Sequence, residues 1–420
     1  MTLRVAMVSV HTCPLAPLGS RETGGMNVYV RELSRRLGAR GVAVDVFTRR
    51  QHPDPAEIMP FGENARVIHL EAGPLAPMDK YDVLDRLPRF TEGMIDFAEQ
   101  SSLRYDLIHS HYWLSGQVGT WLSDRWQVPL VAMFHTLGRL KNSVSRDDSE
   151  RESPARIDVE RDILRRADRL VAASPTDMQH MLECYGADES RIRVIPGGVD
   201  MATFRPIPIQ DARTFLELDS RKLVLFVGRI QPLKGIELLL RAFARLSAGW
   251  VEGPRPRLMV VGGDNPTDPS DPESMELDRL MRLAEELGVV DDVIFRGAIP
   301  HEALPTYYSA ADVVVVPSHY ESFGLVALEA MACGTPVVAS RVGGLQGTVR
   351  DGDSGFLVDH REPEPFASAI EAVLLNEGLR GRMSEAAVRT AREYSWEASA
   401  EKTLDLYSEL VPNLACLASH

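Results

Sequence analysis

The chain of 420 residues is too long for one ordinary hydrophobic core and predicts two domains of about 200 residues each. Its hydrophobic content of 44% and charged content of 25% are typical of a folded globular protein, so disordered and fibrous classes are excluded. The formal net charge of −14 argues against a nucleic-acid partner, because a duplex would repel this surface.

The cysteines are scattered and form no C-x-x-C pair, so the sequence predicts neither a disulfide framework nor a zinc site. They are Cys13, Cys184, Cys333 and Cys416. The apolar start from Leu3 to Val10 is too short for a membrane span and lacks the features of a signal peptide. We therefore expect reduced thiols, a cytoplasmic location and no membrane span.

Short β-rich runs alternate with helical patterns along the whole chain, which is typical of parallel sheets covered by helices. In the first half the predicted strands are Arg4–Val10, Val42–Thr48, Arg66–Leu70, Leu107–His109, Leu130–Phe134, Arg169–Ala173 and Arg193–Ile195. In the second half they are Leu223–Gly228, Arg257–Val261, Val293–Arg296, Val313–Val316 and Pro336–Ala339. Each half is therefore predicted to be a doubly wound α/β domain.

A proline- and glycine-rich segment from Ile195 to Pro208 separates the two halves and has the composition of a domain boundary. We expect a first domain over residues 1–205, a second over 206–395, and a hinge near 204–210. Two polar stretches, 141–155 and 264–274, have the composition of loops, and the first is expected to be a mobile element over a cleft.

A glycine pair opens an amphipathic helix after the first strand, in the run Thr23-Gly-Gly-Met-Asn27. Glycine lets a substrate approach the backbone closely, and a helix N-terminus favours an anion. Asp45 stands 20 residues after Gly25, a spacing found in dinucleotide-binding oxidoreductases. The full G-x-G-x-x-G is absent and the loop after Val10 is too long, which argues against that class.

Three histidines, His109, His111 and His135, stand at the ends of predicted strands, where side chains reach ligands more readily than from helices. A purely structural hydrogen-bonding role is an equally open alternative for the first two. In the second half, Arg229 and Lys234 follow a buried strand on a loop. Ligands of open α/β sheets bind at such carboxyl ends, and two cations there would neutralise a diphosphate, although they could also be surface charges.

Glu321 and Glu329 are the most informative pair in the chain. Glu321 follows a predicted buried strand, Val313–Val316, and Glu329 lies within a predicted helix, Gly324–Cys333. The N–H groups of residues 322–325 would point at whatever lies above the strand end, so the motif predicts an anion pocket beside Glu321. Glu329 would lie more than a turn into the helix. Together they predict a nucleotide-sugar site.

The Glu-x7-Glu pattern, its Phe-Gly and the later Gly-Thr-Pro-Val-Val-Ala resemble the retaining GT-B glycosyltransferases of family 4. The resemblance implies two Rossmann-like domains facing across a cleft, with a C-terminal segment, about 396–415, crossing back to the first domain. It implies that His135 and Glu321 meet the donor sugar, that Glu329 meets the ribose, and that Arg229 and Lys234 clamp the diphosphate. The expected donor-binding residues are Gly25, Arg229, Lys234, Ile299, Glu321, Ser322, Phe323, Gly324, Leu325 and Glu329.

The first half resembles one subgroup of that family, which moves N-acetylglucosamine from its UDP donor to inositol 3-phosphate. In that subgroup the acceptor is held by residues matching His11, Asn27, Lys80, Tyr112, Thr136 and Arg156. Lys80 or Arg156 alone would be an ordinary solvated charge, but the six together favour a phosphorylated polyol. The sucrose-phosphate synthases, which use fructose 6-phosphate, remain an alternative, and the run Trp113-Leu-Ser-Gly argues against them.

No carboxylate pair has the arrangement of a retaining glycosidase, so we expect same-face attack on the donor, with His135, Arg229, Lys234 and Glu321 as the catalytic residues. No metal or other cofactor is expected, because protein cations and a helix dipole would stabilise the leaving diphosphate. The expected partners are a UDP-sugar and a small phosphorylated acceptor, and a homodimer is compatible with the sequence. A GT-B epimerase and a non-catalytic nucleotide-sugar sensor are the alternatives from other classes.

Overall fold

The computed structural model describes residues 2–17, 23–263, 272–359 and 362–411, and these ranges divide into two compact units. The first unit contains residues 2–16, 25–196 and 396–411, and the second contains 17, 23–24, 197–263, 272–359 and 362–395. Cys416 and residues 412–415 of the expected C-terminal segment lie outside the described residues. No helix in the described ranges is long and apolar enough to cross a membrane.

The first unit is built on an eight-stranded sheet within the described residues, with the order β3-β4-β2-β1-β5-β6-β7-β8. Its strands are β1 Arg4–Val8, β2 Ala43–Arg49, β3 Ile58–Gly62, β4 Ala65–Leu70, β5 Leu107–His111, β6 Leu130–Met133, β7 Arg169–Ala172 and β8 Ile192–Val194. All neighbours pair in parallel except β3, which runs antiparallel to β4 at the edge. The central strands are buried on both faces, which is why they read as continuous apolar runs.

The second unit contains a parallel six-stranded sheet in the described residues, with the order β11-β10-β9-β12-β13-β14. Its strands are β9 Leu223–Val227, β10 Arg257–Val261, β11 Val293–Gly297, β12 Val313–Val316, β13 Val337–Ser340 and β14 Gly355–Val358. Leu225, Val260, Val314 and Val338 are fully buried in the middle of this sheet.

The α-helices cover both sheets, as expected for doubly wound domains. In chain order they are α1 Gly25–Gly38, α2 Lys80–Leu84, α3 Leu87–Gln100, α4 Trp113–Trp126, α5 Gly138–Ser143, α6 Pro154–Arg166, α7 Pro175–Tyr185, α8 Ile209–Phe215, α9 Ile236–Gly249, α10 Pro272–Glu286, α11 Leu304–Ala310, α12 Leu325–Ala332, α13 Leu345–Thr348, α14 Pro363–Leu375, α15 Glu377–Ala391 and α16 Trp396–Leu410. Helix α16 belongs to the first unit, where the ring of Trp396 lies 5.5 Å from that of Tyr29 on α1.

All twelve predicted strands are present, with ends that shift by one or two residues, and two further strands, β3 and β14, were not predicted. The expectation of a loop over 141–155 is wrong at both ends, since α5 continues to Ser143 and α6 begins at Pro154. Residues 264–271 of the second expected loop lie outside the described residues, and α10 already begins at Pro272. The predicted helix Gly324–Cys333 is α12, Leu325–Ala332.

Each sheet changes its winding direction at one point, and this positions the candidate site. In the first unit the chain leaves β1 toward β2 on one side and later returns to β5 on the other. In the second unit β9 and β12 stand in the same relation. A crevice forms at the carboxyl ends of such strand pairs, because the connections diverge there, and ligands of open α/β sheets bind in it.

At the opposite, amino-terminal ends of the strands, an aspartate recurs immediately before one strand. Its carboxylate accepts a hydrogen bond from the first N–H of the neighbouring strand. Asp106 Oδ2 accepts from Arg4 N at 2.8 Å in the first unit. Asp312 Oδ2 accepts from Leu223 N, also at 2.8 Å, in the second. A third case joins Asp168 to Leu130 N at 2.8 Å. In each pair the aspartate's own N–H donates back to the partner's carbonyl, so the strand starts are clamped reciprocally.

Candidate active site

In the second unit, the loops after β9 and β13 each approach the loop after β12 closely, because glycines stand at the points of contact. Gly235 has a φ of +71°, and a Cβ there would collide with the carbonyl oxygen of Pro317. Gly343 has a φ of +48°, and a Cβ there would collide with the carbonyl oxygen of Glu321. The N–H of Gly344 donates to that same oxygen at 2.9 Å. These contacts fix the backbone that carries Glu321.

The loops after β9 and β12 present an ion pair at the switch point between these two strands. Lys234 Nζ lies 2.7 Å from Glu321 Oε2, and both side chains are about one-fifth exposed, at 22% and 17%. Arg229 lies on the same loop as Lys234, two residues after the end of β9, and is half-buried. A cation held by a carboxylate at a partly open strand end has the right charge and access to bind a diphosphate.

Helix α12 begins at Leu325, directly after this loop. Gly324 precedes it with a φ of +96°, a left-handed conformation that glycine adopts without strain. Phe323 is buried, and its carbonyl accepts from Thr348 Oγ1 at 3.0 Å. The first-turn N–H groups of an α-helix have no partner within the helix, so those near Ser322–Leu325 are suited to an anion.

Glu329 lies on the same helix and is buried with two protein partners. His301 Nε2 lies 2.8 Å from Glu329 Oε1, and the Tyr308 hydroxyl donates to Oε2 at 2.9 Å. The chain reaches His301 from Ile299, which follows β11 and is half-buried. Both carboxylate oxygens of Glu329 are therefore positioned by side chains outside the Lys234–Glu321 pair. His301 and Tyr308 were not predicted from the sequence, since neither belongs to the glutamate motif.

In the first unit, Arg156 on α6 is the centre of the predicted acceptor residues. Its side chain is fully buried, and its Nη1 donates to the Tyr112 hydroxyl at 3.0 Å. Its Nη2 donates to the carbonyl and hydroxyl of Thr136 at 2.9 and 3.1 Å. Its Nε donates to Glu160 at 2.7 Å. Three of the six predicted acceptor residues are thus brought together by one guanidinium.

Glu152 joins Lys80 to this group, and no pattern in the sequence predicted it. Lys80 Nζ lies 2.6 Å from Glu152 Oε2, Arg156 Nη1 lies 3.0 Å from Oε1, and Lys141 Nζ also pairs with Oε1. The Tyr81 hydroxyl donates to Oε2 at 2.7 Å. Burial raises the pKa of Glu152, but the three cations outweigh it and hold that pKa well below its usual range. We call Lys80, Lys141, Glu152 and Arg156 the Glu152 cluster.

The histidines at the strand ends make hydrogen-bonding contacts with each other and with helix α16. His111 Nδ1 lies 2.9 Å from His135 Nε2, and His109 Nδ1 lies 2.7 Å from the hydroxyl of Tyr407 on α16. Burial lowers the pKa of His109 to about 3. Burial, followed by the repulsion between a protonated ring and the nearby imidazoles, lowers the pKa of His135 to about 3 and that of His111 well below its usual value. At neutral pH these imidazoles are uncharged and act as hydrogen-bonding groups.

Two residues at this edge have backbone angles that L-residues rarely adopt. Tyr112 has a φ of +80° and a ψ of 158°, and His135 has a φ of +60°. Such conformations cost on the order of 1–3 kcal/mol each and concentrate at functional sites. They turn the side chains at the ends of β5 and β6, and the Tyr112 ring packs 4.4 Å from that of His11.

Asn27 does not join the Glu152 cluster through the contacts described. It is buried on α1, and its amide donates to Thr12 Oγ1 at 2.7 Å and to the carbonyl of Cys13 at 2.8 Å. It therefore ties the helix to the loop that carries His11. Gly25 is the first residue of the same helix and belongs to the first unit. Within the described ranges, no group of three or more His, Cys, Asp or Glu side chains is arranged to hold a metal ion.

Comparison with known proteins gives matches along nearly the whole chain. The family model of the glycosyl transferase 4-like domain matches residues 24–198, and that of glycosyl transferases group 1 matches residues 209–390. The D-inositol 3-phosphate glycosyltransferase of Acidothermus cellulolyticus is 45% identical over 410 residues, covering 97% of this chain and 90% of that protein. The chain belongs to the family 4 glycosyltransferases of the GT-B fold.

A second relative of this glycosyltransferase, the D-inositol 3-phosphate glycosyltransferase of Corynebacterium jeikeium, is 45% identical and covers 98% of this chain and 97% of its own length. Among solved structures, a sucrose-phosphate synthase from Thermosynechococcus elongatus is 37% identical, with a TM-score of 0.89 over 97% of this chain and 99% of that one. The Anabaena protein HepE in complex with UDP and glucose has a TM-score of 0.76 at 21% identity, which shows the fold alone.

Proposed function

We propose that this enzyme transfers N-acetylglucosamine from UDP-N-acetylglucosamine to 1D-myo-inositol 3-phosphate with retention of the anomeric configuration. The name shared by the relatives at 45% identity supports the acceptor. The observation that carries the proposal is the Glu152 cluster, because it gathers three cations and the Tyr112 and Thr136 hydroxyls at one strand edge. Such a group is suited to a phosphate rather than to a neutral polyol.

On the donor side, Arg229 and Lys234 bind the diphosphate and stabilise the charge that develops as the sugar departs. Glu321 and His135 orient the sugar, and Glu329 accepts from the ribose hydroxyls. The pairing of Lys234 with Glu321 supports this division, since the ammonium is already held beside the strand end where the anion would bind. The first-turn N–H groups of α12 add a preorganised partial positive charge.

The proposed mechanism is attack by an acceptor hydroxyl from the face that the diphosphate leaves. The hydroxyl proton passes to the departing phosphate oxygen, so no carboxylate needs to act as nucleophile. The protein contributes position and charge, and each charge-assisted hydrogen bond to the phosphate oxygens is worth on the order of 1.5–3 kcal/mol.

The test is UDP release from a panel of UDP-sugars with inositol 3-phosphate, free inositol and fructose 6-phosphate. We expect release to require inositol 3-phosphate and to be fastest with UDP-N-acetylglucosamine. Faster release with fructose 6-phosphate would favour the sucrose-phosphate synthase alternative, which the 37% identical structure supports. A donor epimer formed without acceptor would establish the epimerase alternative, and equal rates with free inositol would contradict a phosphorylated acceptor.

Lys80 supplies the corresponding variant. Because Lys80→Ala removes one charge-assisted contact, we expect kcat/KM for inositol 3-phosphate to fall by roughly 10- to 100-fold while the KM for the UDP-sugar stays within about twofold. The matched control is Arg89→Ala, which removes an exposed cation from α3 of the same unit, where it pairs with Glu92 on its own helix. Its activity should equal that of the unchanged protein.

A further inference from the structure

Lys141 stands beside Lys80 in the Glu152 cluster, although neither its sequence position nor the family resemblance marked it. It lies in the last turn of α5, and its ammonium pairs with the carboxylate oxygen of Glu152 that Arg156 also contacts. The Glu152 side chain is 1% exposed, whereas those of Lys80 and Lys141 are 24% and 28% exposed. The buried carboxylate therefore lies beneath two partly exposed lysine side chains.

The N–H donors of Arg156 are all paired with protein atoms. A guanidinium has five N–H groups, and the bonds to Glu160, Tyr112, Glu152 and both oxygens of Thr136 account for all of them. An ammonium has three donors, and Glu152 occupies only part of that number on each lysine. In this arrangement the two lysines hold the unused donors, and the arginine organises the residues around them.

We propose that Lys141 binds the phosphate of the acceptor together with Lys80, and that Glu152 is the positioning residue that holds both ammonium groups in place. The inference rests on the proposed use of a phosphorylated acceptor and adds a residue to that site. Lys80, Lys141 and Arg156 supply three positive charges, and Glu152 and Glu160 supply two negative ones. The remaining positive charge favours an anion. The buried carboxylate of Glu152 offsets the electrostatic repulsion between the two ammonium groups.

The pH dependence of acceptor use follows from the groups that face Lys141. Burial, and then the positive charges of Lys80 and Arg156, lower the pKa of Lys141 to about 8 against the opposing effect of Glu152. The Tyr81 hydroxyl also contacts Glu152, and the Tyr112 hydroxyl and Glu160 contact Arg156. As the pH rises through about 8, Lys141 in the free enzyme loses its proton. Acceptor kcat/KM therefore falls on the alkaline side.

The experiment compares Lys141→Gln and Lys141→Arg with Arg139→Gln, a control on the same helix whose guanidinium contacts the carbonyl of Cys184 instead. With inositol 3-phosphate, Lys141→Gln should raise the acceptor KM at least tenfold and leave the UDP-sugar KM within twofold. Lys141→Arg should restore acceptor use and abolish the decline near pH 8. Arg139→Gln should behave as the unchanged protein in both respects.

Glu152→Gln tests the positioning role with the same pH profile. Because Glu152 raises the pKa of Lys141, its removal should move the alkaline decline to lower pH, a shift that a purely structural residue would not cause. If Lys141→Gln keeps the preference for inositol 3-phosphate over inositol, or if Lys141→Arg leaves the decline in place, the assignment of Lys141 is overturned while the proposed function stands. If the unchanged protein shows no such preference, both fail.

Discussion

Lys234 is the residue in which the donor hypothesis is most directly testable. It lies 2.7 Å from Glu321 and is partly exposed, so a diphosphate can reach it without unfolding the loop. Lys234→Ala should lower kcat by roughly 10²-fold or more, because a donor aimed at charge developing in the transition state is worth about 2.7–4 kcal/mol. Steady-state kinetics on the folded variant measure this.

The same sheet offers a matched control for that variant. Lys222 immediately precedes β9, at the amino-terminal end of that strand, and its ammonium nitrogen lies 3.4 Å from Asp312 Oδ1. Lys222→Ala removes an equal charge from the other end of the strand and should leave kcat unchanged. If Lys234→Ala keeps near-normal turnover, the diphosphate assignment is wrong.

Individual residues were predictable where they lie close in sequence to a motif. Lys234 and Glu321 lie on loops that follow buried strands, and Glu329 lies on the helix after one, as their motifs predicted. Glu152 could not be found in this way, because its partner Lys80 is 72 residues away and the stretch around it reads as a polar loop. His301 was missed for the same reason, since only the folded chain brings it to Glu329.

Among the elements, the turn at Gly343 controls the position of the Glu321 loop. A side chain there would occupy the left-handed region, at a cost of about 1–2 kcal/mol, and would collide with the carbonyl of Glu321. Gly343→Ala should therefore raise the KM for the UDP-sugar about tenfold and lower stability by about 1–2 kcal/mol.

Gly347 is the comparison for this substitution, since a Cβ at that position has open space around it. Gly347→Ala lies on α13, four residues further along, and should leave both the UDP-sugar KM and the urea midpoint nearly unchanged. Equal effects of the two substitutions would show that the collision with the Glu321 carbonyl does not matter for donor binding.

The two unpredicted strands show where the hydrophobic pattern is too weak to identify an element. β3 is an edge strand that alternates between exposed and half-buried residues and contains Pro60, so it lacks the continuous apolar run of its neighbours. β14 has only four residues and begins at Gly355. In contrast, the central strands are buried on both faces, and this burial is what made them recognisable.

On the scale of the whole molecule, the buried histidines make stability depend on pH. His109 and His111 are fully buried, and their pKa values are depressed, to about 3 for His109. Below about pH 6.5 the unfolded chain binds protons at these positions and the folded chain does not. The stabilisation is present above the unfolded pKa and is lost as the pH falls, by up to about 1.4 kcal/mol per pH unit for each histidine.

Urea unfolding at pH 7.5 and 5.5 measures this loss in the first unit. His109→Gln should reduce the difference between the two midpoints, whereas His52→Gln, at an exposed position, should not. An unchanged difference in His109→Gln would mean that other groups set the acid sensitivity.

The architecture was the most predictable level, because alternation of apolar runs and helical patterns is a property of the whole sequence. The positive φ angles of Tyr112 and His135 were not predictable, since such angles are uncommon for any residue other than glycine and depend on the surrounding fold. The location of the candidate site at the strand ends could therefore be predicted from the sequence. Its hydrogen bonds and ion pairs could be identified only in the structure.

The aspartates that clamp the strand starts have a consequence for the rate at which the protein comes apart. Asp106 and Asp312 each join strands about a hundred residues apart, so their bonds form only after those strands have paired. Interactions completed late in folding slow unfolding more than they speed folding. Both aspartates lie at the amino-terminal ends of the strands, away from the donor and acceptor residues. The unfolding rate of the enzyme and its catalytic activity can therefore be altered independently.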